Sequence, residues 1–184
     1  EQLDRMTGDW QQNIAQFWFK ELKPADWWKK NPVIDDRITE RFGALWEKHK
    51  SKPAEDFLES PVEALAAIIL FDQFPRNMFR ENAKAYSSDP LAQQIAELTV
   101  THGFDQQLSK VQRPFSYMPF MHAEDLRLQE MSVELFEKLG SNQKFAENHH
   151  AAIAEFGRFP HRNTVLGRVS SEEELQAIAD GAQW

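Results

Sequence analysis

Residues 60–80 constrain this chain more tightly than any other stretch. Ser60-Pro61-Val62-Glu63 is a helix start: Ser caps free N–H groups, Pro suits the first turn, and Glu at the third helical position reaches back to the cap. The apolar run Ala64–Phe71 that follows is too short to cross a membrane and reads as a core helix segment. Pro75 then disfavours helical geometry in Phe74, so the helix is expected to stop there. The closing segment FDQFPRNMFR (71–80) sets an acid, two amides and two arginines beside three phenylalanines. A second segment, FGRFPHRN (156–163), repeats its Phe-x-x-Phe-Pro core.

Similar start and stop signals divide the remaining chain into helices, with almost no strand candidates. Thr7–Gly8 precedes Trp10–Leu22, where Ile14, Phe17 and Trp18 recur at helical spacing. Pro24 opens a short helix carrying Trp27 and Trp28. Asp35 is placed to cap the next, with Ile38, Phe42, Leu45 and Trp46 as its apolar stripe and Pro53 beyond its end. Asp89-Pro90 opens a helix that Gly103 ends. Residues 104–119, with two prolines, read as the least regular part, with a short helix at most.

Met121–Leu139 reads as one long amphipathic helix ending at Gly140, and Gln143–Phe159 as the next, stopped by Pro160. Ser171-Glu172-Glu173-Glu174 is a further capping box, opening a last short helix. About seven or eight helices result, joined by short connections and suited to antiparallel packing in a bundle or an α-solenoid. No linker or low-complexity segment interrupts them, so residues 1–184 read as a single all-helical domain.

Several function classes are disfavoured at this point. The formal net charge of −8 opposes non-specific binding to nucleic acid and to an anionic membrane surface. There is no cysteine, which removes disulfides, thiolate metal sites and a cysteine nucleophile. No glycine-rich phosphate loop and no Gly-x-Ser-x-Gly elbow occurs. The first residues do not form a signal peptide, and the cytoplasm is the default expectation; the initial Glu leaves a trimmed leader open.

Three helices carry an ionisable residue on the stripe that should face the core. Leu65, Ile68 and Ile69 lead to Asp72; Leu128, Met131 and Leu135 lead back to Glu124; His149 falls among Phe145, Ala152, Ile153 and Phe156. A buried carboxylate without a partner costs several kcal/mol, so each acid needs a cation. Arg76, Arg80, Arg158, His161 and Arg162 are the candidates, and His122 lies two residues before Glu124. Guanidinium groups suit the task because they hold carboxylates in bidentate fashion and stay charged when desolvated.

One reading is a structural ion-pair network that fixes helix register. Another is a pocket whose remaining arginines receive an anion. General acid–base chemistry by Glu124 or Asp72 with His149 is a third. Glu147 and His150 form one Glu-x-x-His step, but the second step that a di-metal helical bundle needs is missing, so neither a metal nor a cofactor is expected.

The segments LFDQFPRNMFR (70–80), YMPFMHAEDL (117–126), FGRFPHRN (156–163) and LGRVSSEEE (166–174) resemble the signature stretches of a bacterial family, domain of unknown function 924. The FWF at 17–19 and the Asp35…Ile38…Phe42 spacing fit its N-terminal part. The resemblance implies an all-α, tetratricopeptide-like α-α superhelix and brings no established activity. It also implies that Asp72, Gln73, Arg76, Asn77, His122, Glu124, Asp125, His149, Arg158, His161, Arg162, Asn163 and Arg168 fall on the family's polar positions.

Together these readings lead to an expected binding or scaffolding module for an acidic peptide or a small anion. Arg76, Asn77, His122, Arg158, His161, Arg162 and Asn163 are its candidate ligand contacts. Asp72, Gln73, Glu124, Asp125 and His149 are the supporting network. The alternative is a metal-assisted or general acid–base hydrolase using His122, Glu124 and His149. A homodimer joined through the aromatic stretch Trp10–Trp28 is also possible.

Overall fold

Residues 10–182 and 184 are described by a computed structural model, and every regular element among them is helical. Helix α1 (Trp10–Gln16) continues as a π-turn over Phe17–Glu21. The expected start signal at Thr7–Gly8 lies outside the described residues. A 3-10 turn over Pro24–Trp27 leads to α2 (Pro32–His49). Asn31, not Asp35, caps α2: its side chain accepts from the amides of Val33 and Ile34. Asp35 lies inside the first turn, which leaves its carboxylate free to bind elsewhere.

Helix α3 (Pro61–Ile68) starts on the Ser60 cap as expected. It does not stop at Phe74. A π-turn over Ile69–Gln73 carries it into α4 (Phe74–Met78), with Pro75 near the start of the new segment. The wider turn lets the Phe74 amide reach the Ile69 carbonyl, five residues back. Pro75 has no N–H to offer the Phe71 carbonyl, and the Ser88 hydroxyl donates to that oxygen instead, at 2.7 Å. Ser88 in turn accepts from the Trp46 indole at 3.0 Å. A buried hydroxyl thus satisfies the acceptor that proline leaves open, and the chain stays helical through the motif.

Helix α5 (Asp89–Thr101) ends at Gly103, whose φ of 71° is the left-handed geometry glycine tolerates. The stretch expected to be irregular holds α6 (Arg113–Met121), with Pro114 in its first turn and Pro119 inside it. All residues from Phe115 to Met121 are buried, polar Ser116 and Tyr117 among them, so α6 buries its whole circumference there and has no periodic stripe to read. The expected single helix from Met121 to Leu139 is broken at residues 122–125, and α7 (Leu126–Leu139) restarts on the Asp125 cap. Helix α8 (Gln143–Phe156) ends at Gly157 (φ 72°), before Pro160 can act. A 3-10 turn (Pro160–Arg162), a short α9 (Asn163–Leu166) and α10 (Glu172–Ala179) follow, the last on the expected Ser171–Glu174 capping box.

The core is aromatic. Trp18, Trp46, Phe17, Phe42, Phe71, Phe74 and Phe115 are all but fully buried, and each such side chain stabilises the fold by roughly 2–3 kcal/mol. Helices α3, α5 and α6 hold the centre, with α1 and α2 on one side and α7 and α8 on the other. Trp10 and Trp18 belong to this core, whereas Trp28 is 60 % exposed. No helix among the described residues is long and apolar enough to cross a membrane.

Candidate functional site

Two departures from regular helix build the site. The π-turn after α3 directs Asp72 and Gln73 inward, where both are buried. The break between α6 and α7 brings His122 against Asp72. His122 Nδ1 lies 2.8 Å from Asp72 Oδ1 and 3.1 Å from Oδ2. Gln73 Nε2 donates to Oδ2 at 3.0 Å, and Arg76 Nη1 lies 3.6 Å from Oδ1. Burial pushes the Asp72 carboxyl up, but His122, Arg76 and Arg162 together outweigh it and hold the group below its ordinary value.

The two Phe-x-x-Phe-Pro segments converge on one acid, Asp89. Arg76 grips it with both nitrogens, at 2.8 and 2.9 Å. Arg162 Nη1 lies 3.8 Å from Asp89 Oδ2 and 3.8 Å from Glu124 Oε1, while Nη2 donates to the His122 carbonyl at 2.9 Å. Both guanidiniums lie over the Tyr86 ring, 5.3 Å from Arg76 and 4.4 Å from Arg162. Burial works against the Arg76 cation, yet Asp89 and then Asp72 more than offset it and raise its pKa. Arg162 goes the other way: burial first and Arg76 second lower it to about 10. Its Nε is buried with no partner among the described residues.

Two more histidines close the site. His149 is buried; its Nδ1 lies 2.7 Å from the Phe145 carbonyl, and its ring centre is 6.4 Å from that of His122. Burial, then His122, lowers the His149 pKa to about 4. His161 stacks on Trp184 at 5.8 Å, and burial of its inner edge followed by Arg162 lowers it similarly. Arg76, Arg162, His122, His149 and His161 all line a cleft of about 430 Å³, together with Tyr86. Lys30 and Arg80 stand on its rim, as does Glu81, held at a φ of 59° that disfavours any side chain.

Other expected contacts lie elsewhere. Asn77 donates to Asp35 at 2.9 Å, beside the Arg80–Asp35 pair, and so fastens α4 to α2. Arg158 is bound to Glu174 through two nitrogens, at 3.0 and 2.8 Å, and Asn163 donates to the same carboxylate at 3.2 Å. Those contacts, Arg158 above all, hold Glu174 at about 2 and join α10 to the body. Asp125 is a helix cap. Glu124 accepts from the Phe159 amide and from Arg168, at 2.7 and 2.9 Å, on a neighbouring cleft that shares Tyr86 and Arg162.

Tyr86, Asp89, Lys30 and Trp184 are site residues that the sequence reading missed. Asp89 looked like a helix opener, and nothing local distinguishes that role from an arginine partner. Among the described residues no group of three or more His, Asp or Glu side chains is placed to hold a metal ion.

The family model "Bacterial protein of unknown function (DUF924)" matches residues 14–182. The chain belongs to this family. A solved structure, titled "Structure of Protein of Unknown Function ATU0120 from Agrobacterium tumefaciens", is 37 % identical. It superposes with a TM-score of 0.90, covering 95 % of this chain and 99 % of that one. No curated protein matches the chain significantly. DUF924 membership and the all-α fold agree with the sequence-based expectation, and neither comparison adds a reaction or a ligand.

Proposed function

We propose that this DUF924 protein binds a small anionic ligand in the cleft between its two Phe-Pro corners. The state of Arg162 carries the reading. Its side chain is 6 % exposed, its nearest carboxylate oxygens are 3.8 Å away on either side, and one nitrogen has no partner. A buried cation neutralised this loosely is costly, and an anion entering the cleft would relieve it. Lys30, on the rim, has no ion partner among the described residues and adds to the attraction, while Glu81 opposes it. A cleft of about 430 Å³ suits a small molecule better than an extended acidic peptide. The tetratricopeptide-like superhelix remains part of this proposal, as a frame that would curve around the cleft.

Isothermal titration with phosphate and with butyrate at constant ionic strength tests the reading. Saturable heat that Arg162→Gln abolishes supports it. Absence of saturable heat with both anions sinks it, and leaves the charged cluster as a device that fixes helix register.

A second reading has its own observation. Asp72 fixes His122 through Nδ1, leaving Nε2 as the ring nitrogen with no partner among the described residues. That is the arrangement of a general base oriented by a carboxylate. Glu124 fits this reading poorly, because its two oxygens are already engaged. A metal-assisted form lacks a set of three donors among the described residues. Turnover of p-nitrophenyl phosphate or acetate that depends on His122 supports the enzyme; equal rates for His122→Gln and the unaltered protein remove it.

A further inference from the structure

A second cleft, of about 470 Å³, meets the cationic one. Trp28, Met118, Met121 and Phe145 wall it, and His122, His149 and Trp184 line both clefts. Its character is the opposite of its neighbour's. Two large apolar side chains from distant parts of the chain stand open there: Trp28 at 60 % exposure and Phe145 at 54 %. Exposed aromatics scattered singly are ordinary, but these two face one cleft with two methionines behind them. His149 is held there through Nδ1 by the carbonyl of Phe145 itself, and neither its Nε2 nor that of His122 has a partner among the described residues.

From this continuity we infer that the ligand is an amphipathic anion: a carboxylate or phosphate head in the arginine cleft and an unbranched or aromatic tail along Trp28 and Phe145. The inference rests on the anion reading above and adds the tail. Charge complementarity orients the ligand, because Arg76, Arg80, Arg162 and Lys30 all lie on the first cleft and none of them lines the second. The two imidazoles sit where head meets tail, placed to accept a hydrogen bond from a hydroxyl next to the head. Each cleft falls in the size range of small-molecule sites.

Titration of the full chain with phosphate, butyrate, hexanoate and octanoate at constant ionic strength tests the tail separately from the head. Affinity should climb about fourfold for each methylene buried, from butyrate upward. Phe145→Ser and Trp28→Ala change exposed side chains; each should flatten that climb while phosphate affinity stays within about twofold. Arg162→Gln should weaken all four anions alike, and Arg162→Lys serves if that variant does not fold.

Octanoate binding no tighter than butyrate overturns the amphipathic ligand and leaves the anion pocket standing. Failure of all four anions removes both. Light scattering showing a dimer, with Trp28 and Phe145 protected in its interface, also overturns the inference, because a second copy then covers the apolar cleft.

Discussion

His122 Nδ1 and Asp72 Oδ1 lie 2.8 Å apart across 50 residues of chain, and the carboxylate between them and Arg76 is wholly buried. Charge at Asp72 is therefore part of the fold. Asp72→Asn keeps the shape and removes the charge, leaving His122 with a weaker acceptor and Arg162 with less compensation. The expected loss is about 2–4 kcal/mol in urea unfolding at neutral pH. It falls short of a full buried-pair loss because Arg76 keeps Asp89. A loss below about 1 kcal/mol contradicts this account.

Ser88 completes a helix that proline would otherwise interrupt. Ser88→Ala leaves both the Phe71 carbonyl and the Trp46 indole without a partner. Denaturant unfolding should show a loss of about 1–3 kcal/mol. Phosphate affinity should not change, since neither partner lines the cleft. An unchanged midpoint in urea would mean that water replaces the hydroxyl without cost.

The pH dependence of stability follows from His149, which is neutral when folded. Its pKa falls from 6.5 to about 4 on folding, so between those values the unfolded chain binds more protons. Stability then rises with pH through that window and is fully present above it. His149 supplies up to one proton of the difference, a slope of at most about 1.4 kcal/mol per pH unit. Burial also lowers His49 and His161, the latter with more than a third of its surface in water; both add to the slope, and His149 carries the largest share. Below the window the carboxylates take over: Asp72, held below its ordinary value, loses its contribution as acid protonates it. Urea midpoints measured from pH 4 to 8 check the slope, and His149→Gln should flatten it. An identical slope in that variant rules His149 out as the source.

Arg158 was expected to meet the ligand, and the structure places it on Glu174 and the Val169 carbonyl instead. Arg158→Ala should therefore leave phosphate and octanoate affinity within about twofold of the unaltered protein. Hydrogen exchange should quicken over α10, whose Glu174 anchor it removes. A large drop in anion affinity without faster exchange there contradicts this placement.

Much of the fold was legible because its signals are local. The Ser60 and Ser171 caps and the glycines at 103 and 140 act within one turn of themselves, and the structure starts or ends helices at each. The misreadings cluster where a distant group changes what a residue costs. Pro75 breaks a helix unless something else serves the carbonyl it abandons, and Ser88 lies 17 residues from that carbonyl. Pro119 and α6 show no stripe because every residue from Phe115 to Met121 is buried.

The site divides in the same way. Asp72 and His149 stood out as ionisable residues on apolar stripes, and both are buried. Which cation meets which acid had no local signal: Arg76 and Arg162 reach Asp89, while Arg158 reaches Glu174.

By itself, then, the amino-acid sequence determined an all-helical chain, most of its helix ends and the polar residues that burial would force into partnership. Caps, prolines and apolar spacing act over a few residues, so they can be read without knowing what lies across the core. Only the tertiary structure decided the π-turn at Ile69–Gln73, the break that frees His122 and the choice of partner for each guanidinium. Those depend on desolvation and on distances between segments far apart in the chain, which no local pattern encodes.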